Sequence, residues 1–475
     1  SSRQRHQLLQ AELALAAQQP AQALQALAGT TDDTVAPALA ARWHLARAKA
    51  LEATGDNFGA AQARSLADTA LTGAPRQENQ RAIVRLLAGL DDATLSSRAT
   101  ALPANAPLYN FAGRALIARG LPLPRPFTRD QQWQVDTSKR PPAMSDGYRP
   151  PAKLAVLLPL SGRLATAAAP VRDGLLAGYY AESRRRPEIE FFDTAGTPAG
   201  ATAAYDKAIA AGADFVVGPL GRDEVDALFD REQLAVPVLA LNRGKTTPPL
   251  GNAGFSLAPE DDGIIAAEFL RGRERARALV LHSNDDTGRR AAAAFKERFT
   301  ERGGQVLTTL GVSDTPMNLS PQLQQHAGQA DAVFLAVRAA QARALSPQLA
   351  LAGLGGTTRV GSAQLTNGSG KPEEDVALDG IIYPAEAWTS RSVAGLPPAS
   401  TPGDLLANAR GAAGRLFAFG FDAWKIAAYT EKMAGEGGLA GATGTLYMDS
   451  NGNVLRIPAW SSFSGGRPLP VAGGN

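Results

Sequence analysis

Cysteine is absent from all 475 residues, which excludes disulfides, thiolate metal sites and a cysteine nucleophile from the chain as given. Histidine is almost as scarce. The four present, His6, His44, His282 and His326, lie far apart and none sits in an H-E-x-x-H setting, so no metal site and no zinc enzyme is expected. An excess of one charge sign is also lacking. Lys and Arg number 48 against 45 Asp and Glu, a net of +3, and basic residues scattered among acids give no footprint for nucleic acid. No apolar run approaches the roughly 20 residues of a membrane span. No signal peptide is visible: the chain starts at Ser1-Ser2 and enters a helical pattern almost at once, as a mature or trimmed product does. Catalytic signatures are missing as well. Residues 353–356 and 438–444 are Gly-rich but match neither a phosphate loop nor a dinucleotide fingerprint, and no G-x-S-x-G elbow occurs. No cofactor and no enzymatic activity are expected.

What is present begins as helix. Residues 1–120 are rich in Ala and Leu with almost no β-branched residues, a helix-favouring composition. Apolar residues recur at three- and four-residue spacing through Leu9, Leu13 and Ala16, then Leu24 and Leu27, and again through Trp43, Ala46 and Ala50. A turn at Gly55-Asp56-Asn57 leads into Phe58, Ala61 and Leu66. That Gly…Phe…Ala spacing is similar to a tetratricopeptide hairpin, with a plain helical bundle as the alternative. Either way the segment is an interaction or spacer module. Residues 121–151 hold Pro122, Pro124, Pro126, Pro141, Pro142, Pro150 and Pro151, a stiff connector or surface strap whose one large apolar residue, Trp133, is expected to dock it on a neighbouring domain.

From Lys153 strands and helices alternate. The apolar run 154–158, stopped by Pro159 and Ser161-Gly162, predicts a strand buried on both faces. Further strands are predicted at 188–192, 214–217 and 237–241, with helices between them, and a second series at 277–282, 305–310, 331–336, 358–361 and 379–383. A late amphipathic helix is expected at 404–434, then a hairpin around Asn451-Gly452. The expected domains are 1–120 helical, 121–151 connector and 152–475 two-lobed α/β. Lobe 1 takes about 152–272 plus 404–435, and lobe 2 about 275–390 plus 441–465. Three crossings between lobes then make a hinge with a cleft.

This order of motifs resembles the type I periplasmic-binding-protein fold. Within it the chain resembles the lipoprotein activators of penicillin-binding proteins, the LpoA (LppC) family. The residues that carry the resemblance include Leu157-Leu158-Pro159-Leu160-Ser161-Gly162, Phe191-Phe192-Asp193-Thr194, Ser256-Leu257-Ala258-Pro259-Glu260-Asp261, Phe421-Asp422-Ala423-Trp424 and Gly441-Ala442-Thr443-Gly444-Thr445-Leu446. The resemblance implies a tetratricopeptide-like helical domain followed by the two lobes. It also implies a non-enzymatic outer-membrane lipoprotein on the periplasmic side that binds a class A penicillin-binding protein and stimulates peptidoglycan synthesis. The lipid anchor is implied by the resemblance, and the family's lipid-bearing cysteine is not in this chain. The alternative is a periplasmic solute receptor for an amino acid or similar ligand, and a third reading is a tether between outer membrane and cell wall.

The binding-protein likeness puts a ligand cleft, for a small ligand or a peptidoglycan fragment, at Ser161, Gly162, Pro219, Leu220, Asn242, Ser283, Asp285, Thr287, Ser362 and Gln364. Small hydroxyls beside Gly suit a carboxylate or sugar-like ligand, yet each also has a local reading as a helix cap or solvated turn. For the partner enzyme, Tyr383, Trp388 and Arg391 are candidate anchors, since aromatics and Arg favour interface centres. Filling the junction between lobes is the other role open to them.

Overall fold

A computed structural model describes residues 2–118, 121–125, 140–231, 234–249, 251–315, 317–366, 368–400, 412–430, 432–434, 438–449 and 452–471. The first seven helices pack against their neighbours in succession. They are α1 (Ser2–Ala16), α2 (Pro20–Leu27), α3 (Ala40–Ala53), α4 (Asn57–Asp68), α5 (Gly73–Ala88), α6 (Asp92–Thr100) and α7 (Tyr109–Ala118). Their ends follow local chemistry. Asp56 caps α4 by accepting the Gly59 N–H at 2.9 Å, and Asp91 caps α6 through the Thr94 N–H at 2.7 Å. Trp43 of α3 is buried against Leu8, Ala23 and Leu27, and Phe58 of α4 lies with Ile83, Leu87, Leu95 and Tyr109 in a second core. The end of the connector at 140–151 lies on the α/β part, while Leu121 and Leu123 pack on the second helical core. Arg140 bonds Asp214 at 2.9 Å, the same carboxylate that holds the Ala152 and Lys153 N–H groups, and the Arg149 N–H reaches the Ala428 carbonyl at 2.8 Å. Pro126 and Trp133 fall outside the described residues.

Lobe 1 follows with β1 (Lys153–Leu158), α8 (Ala165–Ala181), β2 (Glu188–Asp193), α9 (Pro198–Ala210), β3 (Phe215–Val217), α10 (Arg222–Phe229), β4 (Val238–Ala240) and β5 (Ala253–Phe255). Lobe 2 holds α11 (Pro259–Gly272), β6 (Arg277–Ser283), α12 (Asp286–Glu301), β7 (Gln305–Val312), α13 (Ser320–Gln324), β8 (Ala332–Ala336), α14 (Ala339–Leu351), β9 (Thr358–Gly361), α15 (Pro372–Asp375) and β10 (Ile382–Ala385). The chain then returns through α16 (Ala412–Ala428), β11 (Leu439–Ala440), β12 (Thr445–Met448), β13 (Asn453–Ile457), β14 (Ala459–Ser464) and β15 (Arg467–Pro470). One sheet runs β11-β12-β13-β5-β4-β3-β1-β2 and the other β15-β14-β10-β9-β8-β6-β7, with parallel pairing at the centre of each. β1 shows why its sequence is an unbroken apolar run. Leu154, Val156 and Leu158 face one core with α8 and α16, while Ala155 and Leu157 face another with Tyr205, Val225 and Leu228. Each such large side chain contributes about 1.5–3 kcal/mol when buried.

The architecture is the expected one, a helical part followed by two α/β lobes joined by three crossings: residues 256–258, the segment after β10, and Pro458. Two assignments change. Residues 259–272 were expected in lobe 1, but as α11 they pack Ile265, Ala267 and Leu270 against Val280, Phe295 and Phe334 in a core of lobe 2. The β12–β13 hairpin was expected in lobe 2, but it extends the sheet of lobe 1, where Asn453 and Val454 pair parallel with Gly254 and Phe255. The reason is packing: Leu446 and Val454 are buried in the lobe 1 core. Only after Pro458, which has no N–H for a ladder, does the chain enter lobe 2 as β14. The short strands β5, β14 and β15 were not anticipated. The late helix is described over Ala412–Ala428; the 404–411 part of its expected span lies outside the described residues, and Lys432–Ala434 forms a separate 3-10 turn.

The return of α16 to lobe 1 depends on two glycines. A Cβ on Gly174 of α8 would stand 1.9 Å from the Phe417 carbonyl oxygen, and one on Gly420 of α16 would stand 1.9 Å from that of Val171. The helices therefore touch backbone to backbone, and Trp424 covers Gly178. From α16 the fully buried Asp422 accepts the Ala442 N–H at 2.7 Å and the Thr443 N–H and hydroxyl at 2.8 and 2.6 Å, which pins the 441–444 loop into β12. Burial pushes this carboxyl up to about 6, from an ordinary 3.8, against those donors. The folded state therefore holds its proton more tightly than the unfolded chain does, and this group's contribution is fully favourable below pH 4 and falls as pH rises through 6. Urea denaturation of the wild type and Asp422→Asn should accordingly show the wild type losing about 2–3 kcal/mol relative to the variant between pH 4 and pH 7. A difference that does not change with pH would contradict the assignment.

Candidate functional site

Most of the loops at the carboxyl ends of the strands close on themselves; the exception is Gln364, whose buried side-chain nitrogen has no hydrogen-bond partner among the described residues. Ser161 donates its hydroxyl to Asp193 at 2.6 Å, and the same carboxylate takes the Leu160 and Ala195 N–H groups at 2.9 and 2.8 Å. The Ser161 hydrogen bond, ahead of the others, holds Asp193 below the usual carboxylate range. Gly162 sits at φ +85°, with the Ala195 carbonyl 2.7 Å from where a Cβ would stand, so the turn needs glycine. Asn242 spends its amide on the Leu220 carbonyl at 2.9 Å and its oxygen on the Arg243 N–H at 2.8 Å, while the Pro219 carbonyl accepts from Leu241. In lobe 2 Ser283 donates to Asp285, which caps α12 through the Gly288 N–H and pairs with Arg338 at 3.0 Å. Thr287 lies in the first turn of α12 and is not its cap. Ser362 is buried and accepts the Gln364 N–H. Among the described residues no hydrogen bond joins a lobe 1 member of this set to a lobe 2 member.

Two of the three partner candidates need correcting. Tyr383 is 1% exposed, its ring 5.2 Å from Phe463 in the core of lobe 2. Trp388 is 4% exposed, stacked on Phe417, with its indole N–H on the Pro397 carbonyl at 2.8 Å. Both are consumed by packing, the reason large aromatics are as often interior as interfacial. Arg391 is exposed.

What crosses between the lobes is charge. The first turn of α11 carries Glu260, Asp261 and Asp262 in succession. Glu260 is gripped by Arg222 of lobe 1 at 3.3 Å and, in a two-pronged contact, by Arg290 of α12 at 2.7 and 3.0 Å. Asp261, 2% exposed, takes both prongs of Arg243, at 3.0 Å each, and the Ser256 hydroxyl. Asp262 accepts the Ala363 N–H at 3.3 Å and lies 3.9 Å from Arg415 of α16, which also pairs with Glu386 at 3.1 Å. Burial first, opposed by Arg415 and Arg456, holds Asp262 above the ordinary carboxylate range. Arg456 of β13 donates to the Ser256 carbonyl at 2.7 Å. The hinge is thus surrounded by buried charges, with Asp261 fully paired by Arg243 while Asp262 keeps one carboxylate oxygen without a hydrogen bond among the described residues, and a charge taken out of water is costly unless paired.

The sequence reading did not single out this cluster. Its one signal was Pro259 followed by three acids, which reads as a helix start favoured by the dipole. The arginines that meet those acids lie elsewhere in the chain and announce nothing. The helical part joins the same region: the guanidinium of Arg114 on α7 lies 2.8 Å from the place of a Cβ on Gly452, and Asp449 in that hairpin turn lies 3.8 Å from Arg298 of α12.

Comparison with known proteins bears on the whole of this unit. The family model described as LppC putative lipoprotein matches residues 147–466. The penicillin-binding protein activator LpoA of Escherichia coli (strain K12) is 23% identical over 328 residues, covering 60% of this chain and 48% of its own. That of Pasteurella multocida (strain Pm70) is 26% identical over 330 residues, covering 66% and 54%. The chain spans about half the length of the curated relatives it matches. Among solved structures, full-length LpoA from Haemophilus influenzae superposes with a TM-score of 0.60 at 20% identity, covering 98% of this chain and 87% of that one. The C-domain of the Haemophilus influenzae protein, described as a regulator of PBP1A, gives 0.57 at 22% identity, covering 67% and 100%. These two likenesses are of fold.

The seam carries its own test. Arg243→Ala leaves Asp261 buried without its partner and should cost about 3–5 kcal/mol in urea denaturation. Arg231→Ala breaks an exposed pair with Asp206 (2.7 Å) and should cost no more than about 1 kcal/mol. Equal costs for the two would remove the seam from the account.

Proposed function

This chain belongs to the LppC family of putative lipoproteins, and we propose that it is a non-enzymatic activator of a class A penicillin-binding protein, working from the periplasmic side of the outer membrane. The family match across both lobes carries the reading, together with the activator names borne by the relatives. In this reading residues 1–120 form a spacer and interaction domain, 121–151 strap it to the two-lobed unit of 152–475, and a lipid anchor tethers the whole. Among the described residues no helix is long and apolar enough to cross a membrane.

The geometry supports a scaffold over a receptor. A solute receptor needs polar side chains aimed into its cleft from both lobes, and Ser161, Asn242, Ser283 and Asp285 spend theirs inside their own lobes. The contact with the synthase then falls on the outer surface, where a stable interface needs about 800 Å² from each partner. Arg391 stays a candidate for it.

The test is peptidoglycan polymerisation and cross-linking by the cognate class A synthase, with and without the full chain. Stimulation is expected, and Ser161→Ala with Asn242→Ala should leave it intact. Absence of stimulation together with micromolar binding of an amino acid would overturn the reading in favour of a receptor.

A further inference from the structure

A cavity of about 1230 Å³ lies where the helical part meets both lobes. Its walls come from α3, α4 and α5 on one side, from α10 and the loop after β4 in lobe 1, and from α11 and α12 of lobe 2. Nine cationic side chains line it against five carboxylates. Three of those carboxylates are already engaged: Glu260 by Arg222 and Arg290, and Glu301 and Asp449 by Arg298. Four of the cations, in contrast, meet no carboxylate within ion-pair distance among the described residues. They are Lys49, Arg64 and Arg81 from the helical part and Lys245 from lobe 1.

Arg64 is the most telling of the four. One of its terminal nitrogens bonds the Asn79 side-chain oxygen at 3.2 Å, but its buried Nε has no hydrogen-bond partner among the described residues. Burial, before any neighbouring charge, lowers its proton affinity below the ordinary arginine value. A guanidinium presents a fork of donors matched to carboxylate and phosphate, and a buried donor left unmade is costly. Unpaired cations on walls supplied by separate parts of the chain form a site whose missing component is negative charge.

We infer that this junctional cavity binds a small polyanion bearing two or more carboxylate or phosphate groups, bridging Arg64 and Arg81 of the helical part to Lys245 of lobe 1. Occupancy ties the helical part to the lobes, and a ligand that binds only the assembled arrangement stabilises it by mass action. The inference goes beyond the proposed activation and is tested without a synthase.

The experiment is calorimetric titration and thermal unfolding of the full chain with citrate and, separately, inorganic pyrophosphate, at ionic strength matched with sodium chloride. One-site binding of at least one of the two is expected, with a raised Tm. Response to citrate alone assigns a carboxylate ligand, and response to pyrophosphate alone a phosphorylated one. Arg64→Gln with Arg81→Gln should weaken binding by at least about tenfold, given the strength of charge-assisted hydrogen bonds. Lys49→Gln with Lys245→Gln changes two exposed side chains. It should weaken binding without moving the ligand-free Tm, so the proposal stays testable if the arginine pair does not fold. Binding no stronger than the chloride control, or variants that bind as tightly as the wild type, would overturn it.

Discussion

The first turn of α11 holds three consecutive carboxylates, and each meets an arginine from another element: Arg222 on Glu260, Arg243 on Asp261, Arg415 facing Asp262. Three like charges side by side are tolerable at a helix start, where the dipole favours each by about 0.3–1 kcal/mol. They are tolerable in a buried place only because the arginines arrive. Those arginines come from α10, from the loop after β4 and from α16, so they can meet α11 only when lobe 1 is complete and α16 has returned to it. The hinge is therefore fixed by a charge pattern that exists only in the assembled fold. The backbone contact of α8 with α16 at Gly174 and Gly420 supports it by setting where Arg415 stands.

Much of this fold could be read from residues in a row. β1 announced itself because both of its faces are interior, so every position from Leu154 to Leu158 is apolar. The Asn451-Gly452 hairpin announced itself through alternation on either side of a turn. The lobe to which that hairpin belongs did not. Its sheet partner, β5, is a three-residue strand two hundred positions earlier, and only packing of Leu446 and Val454 decides between lobes. The short strand β5 itself left too little pattern to see.

Site residues divide in the same way. Ser161, Asn242, Ser283 and Asp285 were legible as loop residues at strand ends, and that is where they sit. Whether a hydroxyl at such a place greets a ligand or its own loop depends on Asp193, on the Leu220 carbonyl and on the cap of α12, none of which spacing reveals. Trp388 and Tyr383 looked like anchors because size and aromaticity suit interfaces and interiors equally. The Pro259-Glu260-Asp261 motif carried the resemblance to the family, and its physical role, the clasp between lobes, became visible only with the arginines in place.

A clasped pair of lobes is the opposite of a receptor that works by closing, and that is the central claim to test. The absence of cysteine makes the measurement clean: Lys207→Cys on α9 and Lys296→Cys on α12 place one exposed label on each lobe. The distance between the two labels, read by pulsed electron resonance, should be a single narrow value that a mixture of amino acids leaves unmoved. A shift of more than about 2 Å on adding amino acids, the scale of domain closure, would contradict the account.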